Sequence, residues 1–587
     1  MLKQPYAEQP IFRLRHSAAH LMAQAVTQLF PGTKLGIGPP IENGFYYDFD
    51  LPHPITEEDL PKIEQRMHEL ADASQPIERF ELPRDEARKY IEEHHPDDPY
   101  KLELLADIPE GETISFYKQG DFVDLCRGPH VEDTHVIQYF KLLSIAGAYW
   151  KGSERNKMLT RIYGTAWFTQ EELDAYLKRV EDAKLRDHRR LGKELGIFMI
   201  SPEVGSGLPM LLPKGAVIRK LLEEYIHGVE ERHGYWHVLT PALAKASLYR
   251  QSGHLAHYKQ SMYPIMDLDG EEFVLRPMNC PHHYMIYKAE VRSYRDLPLR
   301  IGEPGTVYRY ERSGVLSGMM RVRCFTINDA HCFVRPDQIG DEVKHHVLML
   351  EEVYRRLQIP EDMYWYRLSL PDLNDKEKYH GDLEKWEMAE AELRRAMDEM
   401  GRDYMAVKGE AAFYGPKIDV ELQDALGREE TASTIQLDLL APETFDMHYI
   451  GEDGREHRPV VFHRAPIGSF DRMMAYLIEL YAGAFPLWLA PVQAVVVPIA
   501  DRHAEYGATV RDRLAAEGFR VTLDDRRETV GHKIRDSEKQ KNPYTLVCGD
   551  KEVASGSISV RARGQGDLGP MSLEDLIARM RSELPTE

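Results

Sequence analysis

The length of the chain rules out a fold built around one hydrophobic core. Single cores stop growing at about 250–300 residues, and roughly 150 residues per domain gives three or four domains for 587 residues. The sequence contains no window of 18 or more apolar residues and its start is polar, so it predicts neither a membrane span nor a secretory signal. We therefore expect a cytoplasmic protein of several domains.

The cysteines do not form the pattern of a disulfide framework. They are odd in number and scattered along the chain: Cys126, Cys280, Cys324, Cys332 and Cys548. Such a set suits a reducing compartment. Each cysteine is therefore expected to have a chemical or a packing role.

The net charge of −22 argues against sequence-independent binding of nucleic acid, because phosphates are bound where Lys and Arg cluster. Two basic runs could form local patches, residues 184–193 (KLRDHRRLGK) and residues 561–563 (RAR). Each run could equally be the solvated face of a helix or strand. A nucleic-acid partner would have to meet such patches on an acidic body.

Changes of pattern, rather than repeats, predict four segments. Residues 1–170 alternate strand-like runs such as GFYYDFDL with charged helices, one of them beginning at Thr56 with Asp59 as its capping partner. Residues 171–200 form a connector, because TQEELDAYLKRVEDAKLRDHRRLGKELG reads as one long charged helix ending at glycines. The first segment is therefore predicted to be an α+β domain followed by a helical linker.

The remaining two segments differ in how strands follow one another. In residues 201–487 the strand runs are adjacent, beside helices such as AVIRKLLEEYIHGVEERHG, which favours an antiparallel sheet flanked by helices. In residues 488–587 the runs QAVVVPIA, FRVTLDD and YTLVCGD alternate with helices. Continuous apolar strands alternating with helices predict a small α/β sheet covered on both faces.

Two pairs of metal-ligating residue types occur in the first segment. His16 and His20 are one helical turn apart, so both imidazoles lie on the same helix face. Cys126 and His130 flank Arg-Gly-Pro, which must turn. Together they could supply four tetrahedral metal ligands or a polar cluster that holds a catalytic water. The residues alone do not decide between these two, and a histidine pair on a helix is often only surface.

Arginines of the third segment stand in contexts that suit phosphate binding. TVYRYERSG contains Arg309 and Glu311, and APIGSFDR delivers Arg472 after the small-residue turn of Gly468 and Ser469. A planar guanidinium can hold a carboxylate and a phosphate oxygen together. Taken singly, such arginines are more often partners in surface ion pairs.

The order of these motifs carries a resemblance. GYWHVLTPAL with Pro241, followed by TVYRYERSG and APIGSFDR, is similar to the three motifs of class II aminoacyl-tRNA synthetases. RPMNCPHHYMIY, FTINDAHCF, AAFYGPKIDV and VFHRAPIG narrow the resemblance to threonyl-tRNA synthetases, and it spans nearly the whole chain. HSAAH, GFYYDFDL, DLCRGPH and NKMLTRIYGTAW resemble the editing module that threonyl and alanyl enzymes share.

For the first segment, the resemblance implies hydrolysis of mischarged Ser-tRNA. The residues on matching positions are His16, His20, Lys101, Asp124, Cys126 and His130. Lys101 and Asp124 would position the water and the ester. The alanyl branch binds zinc here and the threonyl branch is thought to act without a tightly bound metal, so the metal state of this segment stays open.

For the third segment, the resemblance implies a class II catalytic domain with zinc in the amino-acid pocket. Its ligands correspond to Cys280, His331 and His463, whose separations form no local metal motif. Arg309 would bridge the threonine carboxylate and the α-phosphate of ATP, Arg472 would hold the γ-phosphate, and Mg²⁺ would neutralise the pyrophosphate. Asp329 would accept from the threonine hydroxyl. The other implied site residues are Glu311, Arg321, His254, Tyr414, Lys417 and Gln436.

The last segment resembles the anticodon-binding domain of several class II synthetases. Glu552 and Arg561 fall on positions that read bases of tRNA(Thr), which suits recognition of splayed single-stranded bases. Without the family, GSISVRARG in a small α/β domain is equally compatible with a dimerisation or regulatory unit. A homodimer is expected from the resemblance, because the Pro241 segment lies at a subunit interface in this class.

Some positions depart from the family pattern. Ile327 stands where some relatives have glutamine, Thr431 in EETASTIQ takes a glutamine's position, and Arg527 takes a position that is often asparagine. Contact details at these positions are therefore open. Most bacterial relatives also begin with a ubiquitin-like domain, whereas this sequence starts at the editing module, a difference expected to matter little for the chemistry.

Three rival functions fit the sequence less well. A deacylase with a decayed synthetase body would have lost Arg309 and Arg472, and a non-enzymatic RNA-binding relative would have lost the zinc ligands. A synthetase for proline or alanine would have no reason for three separated ligands in its pocket. The sequence retains all of these residues.

Overall fold

The chain divides into two compact units. The computed structural model describes residues 6–94, 98–375, 378–379, 382–424 and 429–585. The N-terminal unit comprises Lys3–Glu181 and the C-terminal unit Asp182–Glu587. Within the described ranges, no helix is both long enough and apolar enough to cross a bilayer.

The N-terminal unit mixes helices with two antiparallel sheets. In chain order its elements are α1 (Pro10–Leu29), β1 (Lys34–Leu35), β2 (Pro40–Ile41), β3 (Gly44–Asp50), α2 (Leu60–Asp72), β4 (Ile77–Glu81), α3 (Arg84–His94), α4 (Pro99–Asp107), β5 (Ser115–Gln119), β6 (Phe122–Leu125), β7 (Tyr139–Tyr149) and β8 (Met158–Trp167), with α5 (Gln170–Arg186) crossing into the next unit. The larger sheet has the order β1-β3-β8-β7 with β2 paired to β3, and the smaller sheet has the order β4-β5-β6.

Helix α1 is the buried centre of this unit. Pro10 suits its first position, where an amide hydrogen would have no partner in the helix. Every residue from Leu14 to Val26 is buried, against a sheet whose strand β3 buries Phe45, Tyr47 and Phe49 on one face. The strand predicted at GFYYDFDL is confirmed as β3. Because α1 runs through the core, its histidines face the interior and not solvent.

Two local predictions in this region have different outcomes. The helix start at Thr56 is confirmed, since the Thr56 amide donates to Asp59 Oδ2 at 2.8 Å. The single connector helix is wrong, because it breaks at Asp187 into α5 and α6 (His188–Glu194). Asp187 accepts from the Arg189 amide at 2.7 Å, so its carboxylate caps a new helix instead of continuing the old one.

The first part of the C-terminal unit contains an eight-stranded sheet. Its elements, after α6, are β9 (Phe198–Met199), β10 (Met210–Leu211), α7 (Pro213–Arg232), β11 (Tyr235–His237), β12 (Leu243–Lys245), α8 (Ala246–Gln251), α9 (His254–His257), β13 (Met266–Leu268), β14 (Glu271–Leu275), α10 (Cys280–Lys288), β15 (Leu299–Tyr308), β16 (Cys324–Val334), α11 (Ile339–Arg356), β17 (Tyr364–Leu370), α12 (Leu383–Glu399), β18 (Tyr404–Lys408), β19 (Lys417–Gln423), β20 (Glu429–Asp438), α13 (Ala441–Thr444), β21 (Tyr449–Ile450), β22 (Glu456–His457), β23 (Val460–Ala465) and α14 (Phe470–Leu480).

That sheet has the order β11-β15-β16-β23-β20-β19-β17-β18. Its interior pairs are antiparallel, and only the terminal pairs β11–β15 and β17–β18 are parallel. Apolar residues of α7, α11 and α14, such as Leu222, Val347 and Leu477, form one buried core with residues of the sheet. The predicted antiparallel sheet flanked by helices is confirmed.

Strand pairing brings together residues that are distant in sequence. His331 in β16 lies opposite His463 in β23, and His463 also lies opposite Gln436 in β20. Cys280 is the first residue of α10. Sequence spacing carries no information about this register, because it depends on which strands become neighbours.

The last part of the C-terminal unit is a separate five-stranded sheet. Its elements are β24 (Ala494–Pro498), α15 (Ala504–Ala516), β25 (Val521–Leu523), α16 (Val530–Lys539), β26 (Tyr544–Cys548), α17 (Asp550–Ser555), β27 (Ser557–Ala562), β28 (Gly566–Ser572) and α18 (Leu573–Ser582). The order is β25-β24-β26-β27-β28, with the first three strands parallel. The predicted strand and helix alternation is confirmed, and the antiparallel hairpin β27–β28 extends the sheet beyond it.

Two arginines of this domain contact the segment that joins it to the larger sheet domain. Arg520 donates to the carbonyls of Ala490 at 2.9 Å, Trp488 at 2.8 Å and Leu487 at 3.3 Å. Arg563 donates to the Phe485 carbonyl at 2.6 Å. The two side chains attach the last domain to the main chain of the joining segment.

Candidate active sites

Predicted functional residues converge at a buried side-chain cluster in the N-terminal unit and around a cavity in the C-terminal unit. In the N-terminal unit, His16 and His20 on α1 meet Cys126 and His130 from the turn after β6, and their ligand atoms all lie within 4.8 Å of one another. Cys126 Sγ lies 3.3 Å from His16 Nε2 and 3.3 Å from His130 Nε2. We call these four residues the N-terminal cluster.

A buried ion pair adjoins the N-terminal cluster. Lys101 Nζ on α4 lies 2.5 Å from Asp124 Oδ1 on β6, and both side chains are almost inaccessible. The Tyr47 hydroxyl donates to Asp124 Oδ2 at 2.5 Å, and Lys101 Nζ lies 3.1 Å from that hydroxyl. His20 Nε2 is 3.7 Å from Asp124 Oδ2. All six predicted residues of this unit therefore lie at one site.

Burial keeps the N-terminal cluster uncharged near neutral pH. It lowers the pKa of His16 to about 4 and the pKa values of His20 and His130 well below the usual value, with the neighbouring histidines adding to the effect. Burial, with Asp124 nearby, raises the pKa of Cys126 to about 12. The neutral imidazoles can accept hydrogen bonds from water. Alternatively, the thiol can lose its proton, and the four side chains can then ligate a metal.

In the C-terminal unit, the predicted catalytic residues surround a cavity of about 700 Å³. That volume is typical of a small-molecule site. Its lining includes the predicted residues His254, Cys280, Arg309, Asp329, Tyr414, Lys417, Gln436 and His463. His331 lies behind them and is completely buried.

The predicted zinc ligands converge on one edge of this cavity. His463 Nδ1 lies 3.4 Å from Cys280 Sγ and 3.0 Å from His331 Nε2. Bonds of about 2.1 Å to nitrogen and 2.3 Å to sulfur give ligand separations of roughly 3.3–3.6 Å in a tetrahedron. The sulfur–nitrogen separation falls within this range and the nitrogen–nitrogen separation is somewhat shorter, so a small shift of one ring would let the three donor atoms hold a zinc ion with a coordination position left open.

The opposite ring nitrogen of His463 has an acidic partner. His463 Nε2 lies 2.9 Å from Asp438 Oδ2, which also accepts from the Tyr284 hydroxyl at 3.2 Å. Burial raises the pKa of Cys280 and lowers that of His331, whereas the Cys280 and Asp438 groups outweigh burial and raise the pKa of His463. A carboxylate on the rear nitrogen directs Nδ1 of His463 at the metal position.

Asp329 lies in the cavity beside these ligands. Its Oδ2 accepts from Asn279 Nδ2 at 2.9 Å, and burial raises the pKa of its carboxyl group. Its Oδ1 accepts no hydrogen bond from a described residue, so that oxygen is available to a ligand in the cavity. An acceptor in this position can bind a hydroxyl or ammonium group of a small substrate.

Arg309 and Arg472 retain their positive charge without a carboxylate partner among the described residues. Arg309 contacts the Pro277 carbonyl at 3.3 Å and Met278 Sδ at 3.1 Å, and burial lowers its pKa. Arg472 donates to the Thr431 carbonyl at 3.0 Å and the Met320 carbonyl at 3.3 Å. A buried guanidinium held by neutral groups leaves its charge for an anionic ligand.

The other predicted residues are held by polar contacts. Glu311 pairs with Arg321 at 3.1 Å and Lys417 with Asp419 at 2.6 Å. The Tyr414 hydroxyl donates to Gln436, and Ser252 Oγ lies 2.8 Å from His254 Nδ1. These contacts orient the lining of the cavity before any ligand binds. Arg321 lies outside the lining and is half-exposed.

The departures from the family pattern have distinct environments. Ile327 lines the cavity, so an apolar side chain occupies that part of its wall. The Thr431 hydroxyl instead donates to Glu421 at 2.7 Å, and its carbonyl holds Arg472. Arg527 is almost fully exposed in the last domain, 4.0 Å from Asp501.

The predicted anticodon residues are on neighbouring elements of the last sheet. Glu552 on α17 accepts from the Gly549 amide at 2.9 Å, and Arg561 on β27 lies 3.4 Å from Asp567 and 3.7 Å from Glu538. Both side chains are engaged in the free protein. Binding of bases there would exchange these contacts for contacts with RNA.

Several partners of the site residues were not predicted from the sequence. Asn279 and His283 fall inside RPMNCPHHYMIY and Tyr47 inside GFYYDFDL, so those motifs contained the signal. Asp438 and Glu303 lie in β20 and β15, just outside EETASTIQ and TVYRYERSG. Only the fold brings them to the site.

Family comparisons agree with this arrangement. The tRNA synthetase class II core domain (G, H, P, S and T) matches residues 261–481, the anticodon binding domain matches residues 493–583, and the threonyl and alanyl tRNA synthetase second additional domain matches residues 114–163. These matches cover the sheet with the cavity, the last domain and part of the N-terminal unit. The predicted fold class is confirmed.

Similar proteins point to one specificity. A threonine–tRNA ligase of Geobacillus sp. (strain WCH70) is 56% identical over 572 residues, which are 97% of this chain and 88% of the relative. A threonine–tRNA ligase of Listeria monocytogenes serovar 1/2a is 54% identical over 97% of this chain and 89% of the relative. The crystal structure of the RNA binding domain of threonyl-tRNA synthetase from Cryptosporidium parvum Iowa II has a TM-score of 0.63 at 36% identity, covering 68% of this chain and 98% of that one. The chain therefore belongs to the threonyl-tRNA synthetase family of class II aminoacyl-tRNA synthetases.

Proposed function

We propose that the chain joins threonine to tRNA(Thr) in two steps, through a threonyl-adenylate made from threonine and ATP, and that it hydrolyses Ser-tRNA(Thr). The observation that carries the proposal is the convergence of Cys280, His331 and His463 beside Asp329 in a cavity that also contains Arg309. The possible metal ligands suit an amino acid that bears a hydroxyl group. The guanidinium of Arg309, which has no carboxylate partner among the described residues, suits a phosphate. We also propose a cytoplasmic location.

Cys280, His331 and His463 would hold a Zn²⁺ ion. When bound, zinc supplies open coordination positions for the amino and hydroxyl groups of threonine. Asp329 accepts from the same hydroxyl, and Tyr414 and Gln436 bound the side-chain pocket. The donor set and its spacing support this choice of metal.

The cations of the cavity serve the first step, in which the threonine carboxylate attacks the α-phosphate of ATP in line. Arg309 would bridge the carboxylate and the α-phosphate, and Arg472 would bind the γ-phosphate. Their lack of carboxylate partners in the described chain supports this role. Mg²⁺, when bound with ATP, would supply positive charge for the pyrophosphate leaving group. Glu311 orients Arg321 toward ATP through their 3.1 Å ion pair.

The second step transfers the threonyl group to the 3′-terminal ribose hydroxyl of the tRNA. His254 assists removal of the hydroxyl proton, with Ser252 Oγ at 2.8 Å fixing the orientation of its ring. Lys417 lines the same cavity and is held by Asp419. Glu552 and Arg561 read anticodon bases, and the basic run at residues 184–193 is a candidate contact for the phosphates.

A hydroxyl-reading pocket makes a second hydrolytic site necessary. Valine has no hydroxyl and leaves a buried acceptor unpaired, which gives rejection on the order of ten thousandfold or more. Serine retains the hydroxyl and lacks one methyl group, worth about 1–3 kcal/mol or roughly 10–200-fold. Serine is therefore activated at a rate that requires correction.

The N-terminal cluster would perform this correction. Lys101 and Asp124 position the ester and the attacking water, and the neutral imidazoles of His16, His20 and His130 accept its proton. Lys101 and Asp124 form a buried ion pair rather than an exposed one, which supports a role in positioning the reacting groups. Cys126 completes the polar wall.

The test is ATP–pyrophosphate exchange with threonine, serine and valine, before and after zinc chelation. We expect strong exchange with threonine, exchange with serine that is weaker by roughly 10–200-fold, and almost none with valine. Chelation should abolish exchange with threonine and added Zn²⁺ should restore it. Cys280→Ser should act like chelation, whereas Cys548→Ser, which removes a buried cysteine of the last domain, should leave exchange unchanged.

Undiminished activation of threonine by metal-free protein would contradict the zinc site. Equal exchange with valine and threonine would contradict hydroxyl recognition.

A further inference from the structure

The remaining nitrogen of His331 begins a chain of buried polar contacts that the catalytic proposal does not use. We propose that His283 and Glu303 are positioning residues that hold His331 in the tautomer and orientation needed to bind the metal. This inference rests on the proposed zinc site. It assigns a role to two residues that were not predicted from the sequence.

The contact between His331 and His283 determines which ring nitrogen donates at each step. His331 Nε2 faces the metal position, 3.0 Å from His463 Nδ1, while His331 Nδ1 lies 2.8 Å from His283 Nδ1. A ligating Nε2 has to present its lone pair, so the ring proton of His331 is on Nδ1. That proton is donated to His283 Nδ1, which accepts it.

The second contact follows from the first. Because Nδ1 of His283 accepts, its proton is on Nε2, which lies 3.3 Å from Glu303 Oε1. The carboxylate is the acceptor that this tautomer requires. Each tautomer in the chain is therefore determined by its neighbour, from the metal position to Glu303.

Glu303 is itself fixed by three further donors. The Thr240 hydroxyl donates to Oε1 at 2.5 Å and the Thr240 amide to Oε2 at 3.1 Å, while Arg276 Nη1 donates to Oε1 at 3.1 Å. His283, Glu303 and His331 are completely buried. With its charge balanced by Arg276, the carboxylate cannot turn away from His283 without losing bonds that no water replaces.

The two metal-binding imidazoles therefore have parallel supports. His463 is backed directly by Asp438, and His331 is backed through His283 by Glu303. Partners of this kind typically contribute 10–100-fold to metal affinity, because they fix the ring and raise its basicity. A purely structural role would leave zinc affinity unchanged when this series of hydrogen bonds is broken.

A second buried histidine provides a matched control. His346 Nε2 lies 3.0 Å from Glu342, and Glu342 accepts two bonds from Arg300. Like His283, Glu303 and Arg276, these three residues are a buried histidine, a carboxylate and an arginine. The His346 ring, however, packs on Phe462 and touches no proposed ligand of the metal. Replacing either histidine leaves a carboxylate still paired with arginine.

The experiment measures zinc affinity by chelator competition and the visible spectrum of the Co²⁺-loaded full-length protein. His283→Phe keeps a ring and removes both nitrogens, and we expect the zinc dissociation constant to rise about 10–100-fold with a shifted Co²⁺ spectrum. His283→Asn keeps a polar group facing His331 and should have a smaller effect. His346→Phe should leave both readouts unchanged even if it lowers the melting temperature.

The outcomes separate this inference from the zinc site itself. If Cys280→Ser weakens zinc binding and His283→Phe does not, the positioning role is overturned and the zinc site stands. If Cys280→Ser leaves zinc binding intact, the proposed site fails first. Should His283→Phe not fold, wild-type affinity and an unchanged spectrum in His283→Asn would overturn the inference.

Discussion

At the scale of single residues, burial determines the protonation of the N-terminal cluster. With the pKa of His16 lowered to about 4, its imidazole is neutral throughout the physiological range. The group titrates well below the pH at which an exposed histidine would charge, so at pH 7 it is unprotonated and can accept a hydrogen bond from water. His16 contacts Cys126, with 3.3 Å between Nε2 and Sγ.

We expect His16→Asn to lower the rate of Ser-tRNA(Thr) hydrolysis by about 100-fold or more, because the proton acceptor is lost from the cluster. Deacylation of preformed Ser-tRNA(Thr) measures this rate. ATP–pyrophosphate exchange with threonine should be unchanged, since that reaction uses the cavity of the other unit.

His135→Asn is the control, because His135 is exposed in the same unit and outside the cluster. Wild-type deacylation by His16→Asn would exclude the proposed role of this imidazole.

Residues inside recognisable motifs could be predicted, and their partners could not. His16, His20, Cys126 and His130 were named from helical spacing and a turn, and the fold brings them within 4.8 Å. Glu303 and Asp438 could not be named, because their roles arise from the pairing of β15, β16, β20 and β23. Local sequence contains no record of which strand becomes a neighbour.

At the scale of elements, the segment between β18 and β19 depends on a close approach of two backbones. Gly415 lies between Tyr414 and Lys417, which line the cavity, and a Cβ built on it would be 1.9 Å from the Leu437 carbonyl oxygen. The Leu439 amide also donates to the Tyr414 carbonyl at 2.9 Å. Only a residue without a side chain allows this contact.

We expect Gly415→Ala to reduce kcat/KM for threonine activation by about 10–100-fold, because separating the two backbones displaces Tyr414 and Gln436. Pyrophosphate exchange at varied threonine concentration measures the effect. Gly228→Ala in α7 is the matched control, because its new Cβ meets nothing nearer than Arg232 at 3.7 Å. Equal losses in both variants, or none in Gly415→Ala, would refute the explanation.

Element types were predictable where periodicity was strong, and an element boundary was missed where a single residue overrode it. The strands and helices of the last domain followed from continuous apolar runs alternating with charged helices. The break at Asp187 did not follow from periodicity, because the charged helical pattern continues on both sides of it. Only the capping bond of the Asp187 carboxylate marks where α5 ends and α6 begins.

At the scale of the whole molecule, the C-terminal unit exposes large apolar side chains near the Pro241 segment. Leu239 is 91% exposed and Trp236 is 61% exposed, both in GYWHVLTPAL. Exposed residues of this size in one short segment are typical of a surface that another protein covers. We propose that a second copy of the chain covers it.

Light scattering should therefore give a mass of twice 67.7 kDa at micromolar concentration. Leu239→Glu should shift the mass toward the monomer, because a carboxylate would be buried without a partner. Val553→Glu, which charges an exposed apolar residue of the last domain, should not. A monomeric wild-type protein would reject the homodimer.

The attachment of the last domain has a consequence for how this family can vary. Arg520 holds the joining segment through the carbonyl oxygens of Leu487, Trp488 and Ala490, and not through their side chains. Every amino acid carries that oxygen, so these hydrogen bonds place no demand on which three residues stand there. The demand comes instead from their buried side chains, which pack into the cores on either side, so the arginine fixes the path of the main chain and the cores select the residues.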